Sequence, residues 1–186
     1  MKLLKKANGN LPRTSEEKKQ MIDEASLHYG RFLKAVGFDY EADENSKNTP
    51  HRVAKAWIND IIKGCVSEEP KITSFPNEGY RGMVVQTFIP VKSLCSHHNL
   101  PIVGYAHVAY IPGENGSVIG LSKLNRITEF ISNRPQLQEA LTQGIHNMIS
   151  DKCTGNLGVA VSVHAKHFCT CHRGVHHDSV MSTMSV

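Results

Sequence analysis

Two hydrophobic periods divide this chain. From Ser15 to Gly64 apolar residues recur at helical spacing, and from about Gly82 alternation by two dominates, interrupted by one helical block. In the first region Met21, Ala25, Tyr29, Phe32, Leu33 and Val36 form a stripe that Gly37 ends. Thr14-x-x-Glu17 ahead of it reads as a capping box, in which hydroxyl and carboxylate each satisfy one orphan backbone donor. A second helix is predicted with Thr49 as cap and Pro50 at the first helical position. Its buried face is Val53, Ala54, Trp57, Ile58, Ile61 and Ile62, and Gly64 stops it. The acidic, polar segment 38–48 connects the two.

In the second region Met83–Pro90 and Val103–Ile111 are rich in β-branched and aromatic residues and read as strands, with a turn at Pro112–Gly116. Ser122 starts a helix carrying Leu124, Ile127 and Ile131; Pro135 starts another carrying Leu137, Leu141, Ile145 and Met148. Gly158–Cys169 is the clearest strand, and the chain closes on a strand-like SVMSTMSV. If the strand from Gly158 stays regular, Val159, Val161, Val163, Ala165, His167, Cys169, Cys171 and Arg173 share one face. An apolar face thus runs directly into thiols and an imidazole. The order of elements is that of an α+β protein. It divides into a flexible arm (1–13), a helical part (14–66) and a core (67–186).

Composition narrows the classes. At 186 residues with 40% hydrophobic content the chain makes one packed domain. The net charge of +4 is mild and no Lys/Arg run marks a nucleic-acid surface. No apolar run approaches the roughly 20 residues that span a bilayer. Leu3-Leu4 gives way at once to Lys5-Lys6, so no export signal is read. Five cysteines, an odd number, then argue for a reducing, cytoplasmic setting and against a disulfide framework.

The chemistry gathers in two places. Cys95, Ser96, His97 and His98 put a C-x-x-H spacing into four residues, and His167, Cys169, Cys171 and His172 follow about seventy residues later. A thiolate and an imidazole from one turn, joined by a distant ligand, give a three-ligand zinc site with its fourth position left for water, the mark of catalysis. A closed Cys₃His site using Cys171 is the structural alternative. His97, beside a ligand, is free for acid/base work or is a surface histidine. Ser122, Lys123 and Arg126 at a helix start suit phosphate, although spacing alone reads them as a solvated face. Glu139, Arg173 and Arg52 carry no independent signal.

Taken together, CSHH (95–98), SVIGLSKLNRI (117–127), RPQLQEALT (134–142) and HFCTCHRGV (167–175), with NTPHRVAKAW (48–57), resemble the GTP cyclohydrolase I family in order and spacing. Ser96 stands where that family commonly has an acidic residue. The resemblance implies the tunnelling (T-) fold: N-terminal helices, then a ββααββ core with an antiparallel sheet, assembled into homo-oligomers, typically decamers, with interface active sites. It implies conversion of GTP and water to 7,8-dihydroneopterin triphosphate and formate, the entry to pterin, folate or deazaguanine biosynthesis. By motif position Cys95, His98 and Cys169 bind Zn²⁺; His167 protonates the guanine, while His97 and Ser122 serve later steps. Glu139, supported by Gln138, reads the base, and Lys123, Arg126, Arg173 and Arg52 hold the triphosphate. Two alternatives stand beside this: a non-catalytic, zinc-stabilised T-fold oligomer, and a T-fold enzyme acting on a related purine or pterin.

Overall fold

The computed structural model describes residues 2–186. Helix α1 (Ser15–Ala35) begins at the expected capping box: Glu17 N–H donates to Thr14 Oγ1 (3.1 Å) and Thr14 N–H to Glu17 Oε2 (2.9 Å). Gly37, at φ +91°, takes the left-handed conformation just past its end. Its apolar stripe is only half covered, since Phe32 and Val36 remain exposed. Helix α2 (Thr49–Ala56) differs at its start: Asn48 is the cap and makes no side-chain bond, and Thr49 is already helical. It continues as a π-helical turn, Trp57–Ile61, in which Ile62 N–H reaches back to Trp57 O.

Gly64 is not a stop. It lies inside the short α3 (Lys63–Val66), buried, where an added Cβ would overlap the Phe130 carbonyl oxygen. Glycine is there for close approach of two backbones. Gly64→Ala is therefore expected to cost about 1–3 kcal/mol through forced separation of α3 from its neighbour. A lowered thermal midpoint would show it.

The N-terminal arm, expected to be loose, is strapped down along α3. Leu11 N–H donates to Cys65 O (2.8 Å), Arg13 N–H to Val66 O (2.9 Å), and Asn10 Nδ2 to Gly64 O and Ser67 O. Arg134 holds the arm from the other side through Asn8 O. Satisfying backbone groups on both partners is what fixes a segment this polar.

The core contains strands β1 (Ser74–Pro76), β2 (Val84–Cys95), β3 (Pro101–Ile111), β4 (Ser117–Ile119), β5 (Pro135–Gln136), β6 (Gly158–His167) and β7 (Val180–Ser185). Helices α4 (Leu121–Ser132) and α5 (Gln138–Lys152) lie between β4 and β6. The main sheet has the order β5-β2-β3-β6-β7, antiparallel except for the two-residue parallel pairing of β5 with β2; β1 and β4 form a small separate ribbon. With β2-β3-α4-α5-β6-β7 as its frame, this is the ββααββ arrangement of the T-fold. Alternation works as read along β6, where Val159, Val161, Val163 and Ala165 are buried. They join Ile102, Ala106, Val108 and Tyr110 of β3, and Leu124, Ile127, Leu141, Ile145 and Ile149 of the helices, in one core.

Several boundaries shift, and three of the shifts build the site. The first strand, expected to end at Pro90, runs on to Cys95. Pro135 does not start α5. Residues 135–136 are extended, paired with Leu94 and Cys95, and the helix begins at Gln138. Nor does β6 reach Cys169: it ends at His167, and Phe168–Cys171 form a one-turn helix, α6. The shared face therefore stops at His167.

Candidate metal centre and active site

Cys95 is the last residue of β2, and the hairpin that follows is tight. Cys95 N–H donates to Leu100 O (2.9 Å), Asn99 N–H donates to Cys95 O (2.8 Å), and Asn99 has φ +53°. Leu94 pairs with Pro101 to close it, and Ser96 N–H reaches Gln136 O of β5. The C-x-x-H segment is thus a turn pinned from two sides.

Register brings the second cluster to it. Ile102, at the start of β3, pairs with His167, so the hairpin tip and the end of β6 are neighbours. The helical turn then swings Cys169 inward. The ligand atoms of Cys95, His98 and Cys169 all lie within 4.8 Å of one another. Both thiols are buried and His98 is exposed.

This donor set fits zinc. A tetrahedral ion at about 2.0–2.3 Å from S and N donors holds them roughly 3.3–3.8 Å apart, within reach of the observed spacing. Two thiolates and an imidazole are also the soft-to-borderline ligands that zinc favours. Burial, and then the neighbouring Cys95 thiol, push the Cys169 thiol up from its ordinary pKa. A dication is the natural relief for such a pair, because it favours the deprotonated form. Cys171 and His172, at the far side of α6, stand outside this group of three.

Around the triad, His97 Nδ1 lies 3.7 Å from Cys95 Sγ, and Arg173 Nη1 lies 3.4 Å from His98 Nε2. His167 is half-buried. Desolvation lowers its pKa, with Glu139 opposing through its charge. Glu139 itself sits exposed in the first turn of α5. Gln138 is placed differently from a base-reading partner: it is fully buried, with its amide engaged by β6, β7 and His167.

The remaining predicted residues, Ser122, Lys123, Arg126 and Arg52, make no side-chain hydrogen bond to the triad among the described residues. Ser122, Lys123 and Arg126 lie on the first turns of α4, where Asn125 Oδ1 accepts from Gln86 Nε2 at 2.6 Å. Gln86 is nine residues before Cys95 on β2. The strand is irregular between Gln86 and Ile89, and Asn125 also borders Ile89, Pro90 and Lys92, so α4 lies along β2 toward its Cys95 end. Arg52 is exposed on α2 and makes no side-chain bond to the cluster among the described residues.

One positioning residue escaped the sequence reading. Gln136 is buried; its Nε2 donates to Ser93 Oγ at 3.4 Å and to Ile131 O, and its carbonyl receives Ser96 N–H. The signal was present. Pro135-Gln136-Leu137-Gln138 alternates by two with polar residues inward and Leu137 exposed, an extended pattern rather than a helical one.

The fold and centre together define an α+β protein with two thiols and one imidazole, grouped closely enough to hold a metal ion, at the end of its sheet. Comparison with known proteins is specific. The GTP cyclohydrolase I family profile matches residues 25–186. GTP cyclohydrolase 1 of Flavobacterium johnsoniae is 43% identical over 164 residues, covering 87% of this chain and 70% of that protein. Its namesake in Aeromonas salmonicida is 41% identical over 162 residues, covering 86% and 71%, and that of Aeromonas hydrophila is 43% identical over 150, covering 80% and 67%. This chain belongs to the GTP cyclohydrolase I family, a family of enzymes.

Proposed function

We propose that this chain opens the imidazole ring of GTP, releasing formate and leaving 7,8-dihydroneopterin triphosphate. The convergence of Cys95, His98 and Cys169 within 4.8 Å, in a member of this family, carries the reading. Those three residues would hold Zn²⁺. When bound, zinc supplies Lewis acidity and lowers the pKa of water toward neutrality, the property needed to hydrate an electron-poor carbon at pH 7.

The chain's own groups do the rest. His167 gives a proton to guanine N7, which makes C8 electrophilic. Desolvation of its ring favours the neutral form, so the imidazolium releases its proton readily. Glu139 accepts from guanine N1–H and the 2-amino group together, a match adenine lacks. His97 serves ring opening and the ribose rearrangement, with Ser122. Lys123, Arg126, Arg173 and Arg52 spread the triphosphate's charge over several cations.

Ser122, Lys123 and Arg126 make no side-chain bond to the triad among the described residues of one chain, and a neighbouring copy supplies those groups to each centre. The second face of the sheet supports assembly: Val85, Phe88, Val103, Tyr105 and Met184 are exposed along it. The assembly is a homo-oligomer, a decamer by family resemblance. Among the described residues no helix is long and apolar enough to cross a membrane. The reading places the enzyme in the cytoplasm at the first step of reduced-pterin formation, including that of tetrahydrofolate. Incubation of zinc-loaded protein with GTP is expected to yield equimolar formate and, after oxidation, a fluorescent pterin. Products from another purine but none from GTP would overturn it.

A further inference from the structure

We propose that Gln138 is a positioning residue that fixes the His167 ring through its Nε2, rather than a contact to the purine. This rests on the GTP cyclohydrolase reading, in which His167 is the proton donor. Gln138 is 1% exposed, at the first position of α5. Its Nε2 lies 3.1 Å from Val163 O of β6, 3.0 Å from Met181 O and 3.2 Å from Thr183 Oγ1 of β7. Backbone carbonyls only accept, so the amide must turn its NH₂ toward them and cannot be flipped. Oε1 is thereby committed to the other side, where His167 Nε2 stands 2.7 Å away.

A carbonyl oxygen also only accepts. His167 Nε2 therefore carries the hydrogen and donates it to Gln138, which leaves Nδ1 as the ring nitrogen for other work. The hold is rigid because three elements share it. Thr142 Oγ1 donates to Gln138 O (2.9 Å) and lies 2.6 Å from Thr183 Oγ1, joining α5 to β7 behind the amide. His167 needs such a hold. It is the last residue of β6, where the chain leaves the sheet, and its ring is only half-buried. With its N–H groups and carbonyl oxygen all engaged, Gln138 has no side-chain donor or acceptor directed at a ligand.

The test compares Gln138→Met with Thr183→Val in zinc-loaded protein. Methionine fills similar volume but offers His167 no carbonyl. The valine variant removes one amide acceptor while leaving the bond to His167. Gln138→Met is expected to lose at least tenfold in kcat with KM for GTP within threefold of wild type, since misplacing a reacting group by about 1 Å costs up to 10²-fold. Thr183→Val is expected to lower the thermal midpoint and keep kcat within threefold. A rise in KM with kcat retained in Gln138→Met would overturn the proposal in favour of a purine contact. Equal loss of kcat in both variants would reduce Gln138 to a tie for β7.

A second readout is independent of turnover. In ¹⁵N-histidine-labelled protein, an exchange-protected Nε2–H signal that disappears in His167→Asn should be present in wild type and absent in Gln138→Met. Its absence from wild type would overturn the positioning role. Failure of wild type to turn over GTP would instead overturn the activity, with this signal still deciding the hydrogen bond.

Discussion

Cys169→Ala is expected to abolish stoichiometric zinc and to lower GTP turnover by at least about 10³-fold, because loss of a mere outer-shell partner already costs 10–100-fold. The side chain removed is small and 9% exposed, so the fold should survive. Cys171→Ala is the discriminating partner. Cys171 stands outside the Cys95–His98–Cys169 group, and its loss should leave zinc content unchanged and activity within threefold. Equal zinc loss from both variants would instead indicate a closed four-ligand site, with no position for water and hence no hydrolytic role. Metal analysis and formate release on the same samples separate these cases.

The second large effect falls on Glu139. Glu139→Gln keeps one acceptor but turns an NH₂ toward a guanine edge that is itself all donor. Unpaired donors in a closed site are expensive, and sites built to hydrogen-bond a substrate discriminate by up to 10⁴–10⁵ when the match is broken. A fall in kcat/KM of at least about 10²-fold is expected, with zinc content and thermal midpoint unchanged. The latter follows because Glu139 is exposed and no described residue makes an ion pair with it. Retained GTP turnover in this variant would remove Glu139 from the base-reading role.

Much of this was legible before the structure because it depended on local rules. The Thr14/Glu17 box and the alternation along Val159–Ala165 are set by neighbours in sequence, and both appear as read. What local pattern could not supply was the competition with tertiary partners. Pro135 looks like a helix start, yet the free edge of β2 at Leu94–Cys95 captures residues 135–136 as a strand. Gly64 looks like a helix end, yet the Phe130 carbonyl requires a residue without a side chain there. The N-terminal arm lacks an apolar pattern because its attachment is through backbone hydrogen bonds, which composition does not reveal.

The site shows the same division. The C-x-x-H turn and the second Cys/His cluster pointed to the residues that converge, Cys95, His98 and Cys169, but regular strand parity predicted the wrong route to Cys169. The one-turn helix at Phe168–Cys171 delivers it instead. Gln138 was visible as a residue near Glu139; its commitment to Val163, Met181 and His167 depends on the packing of three elements and has no signature of its own.

The most direct test of the central claim is a zinc titration of chelator-stripped protein, with GTP turnover measured at each addition. The expected result is negligible activity without metal, rising in proportion to bound zinc and levelling at one ion per chain. Full turnover by the stripped protein, or none at one zinc per chain in an assembled oligomer, would contradict it.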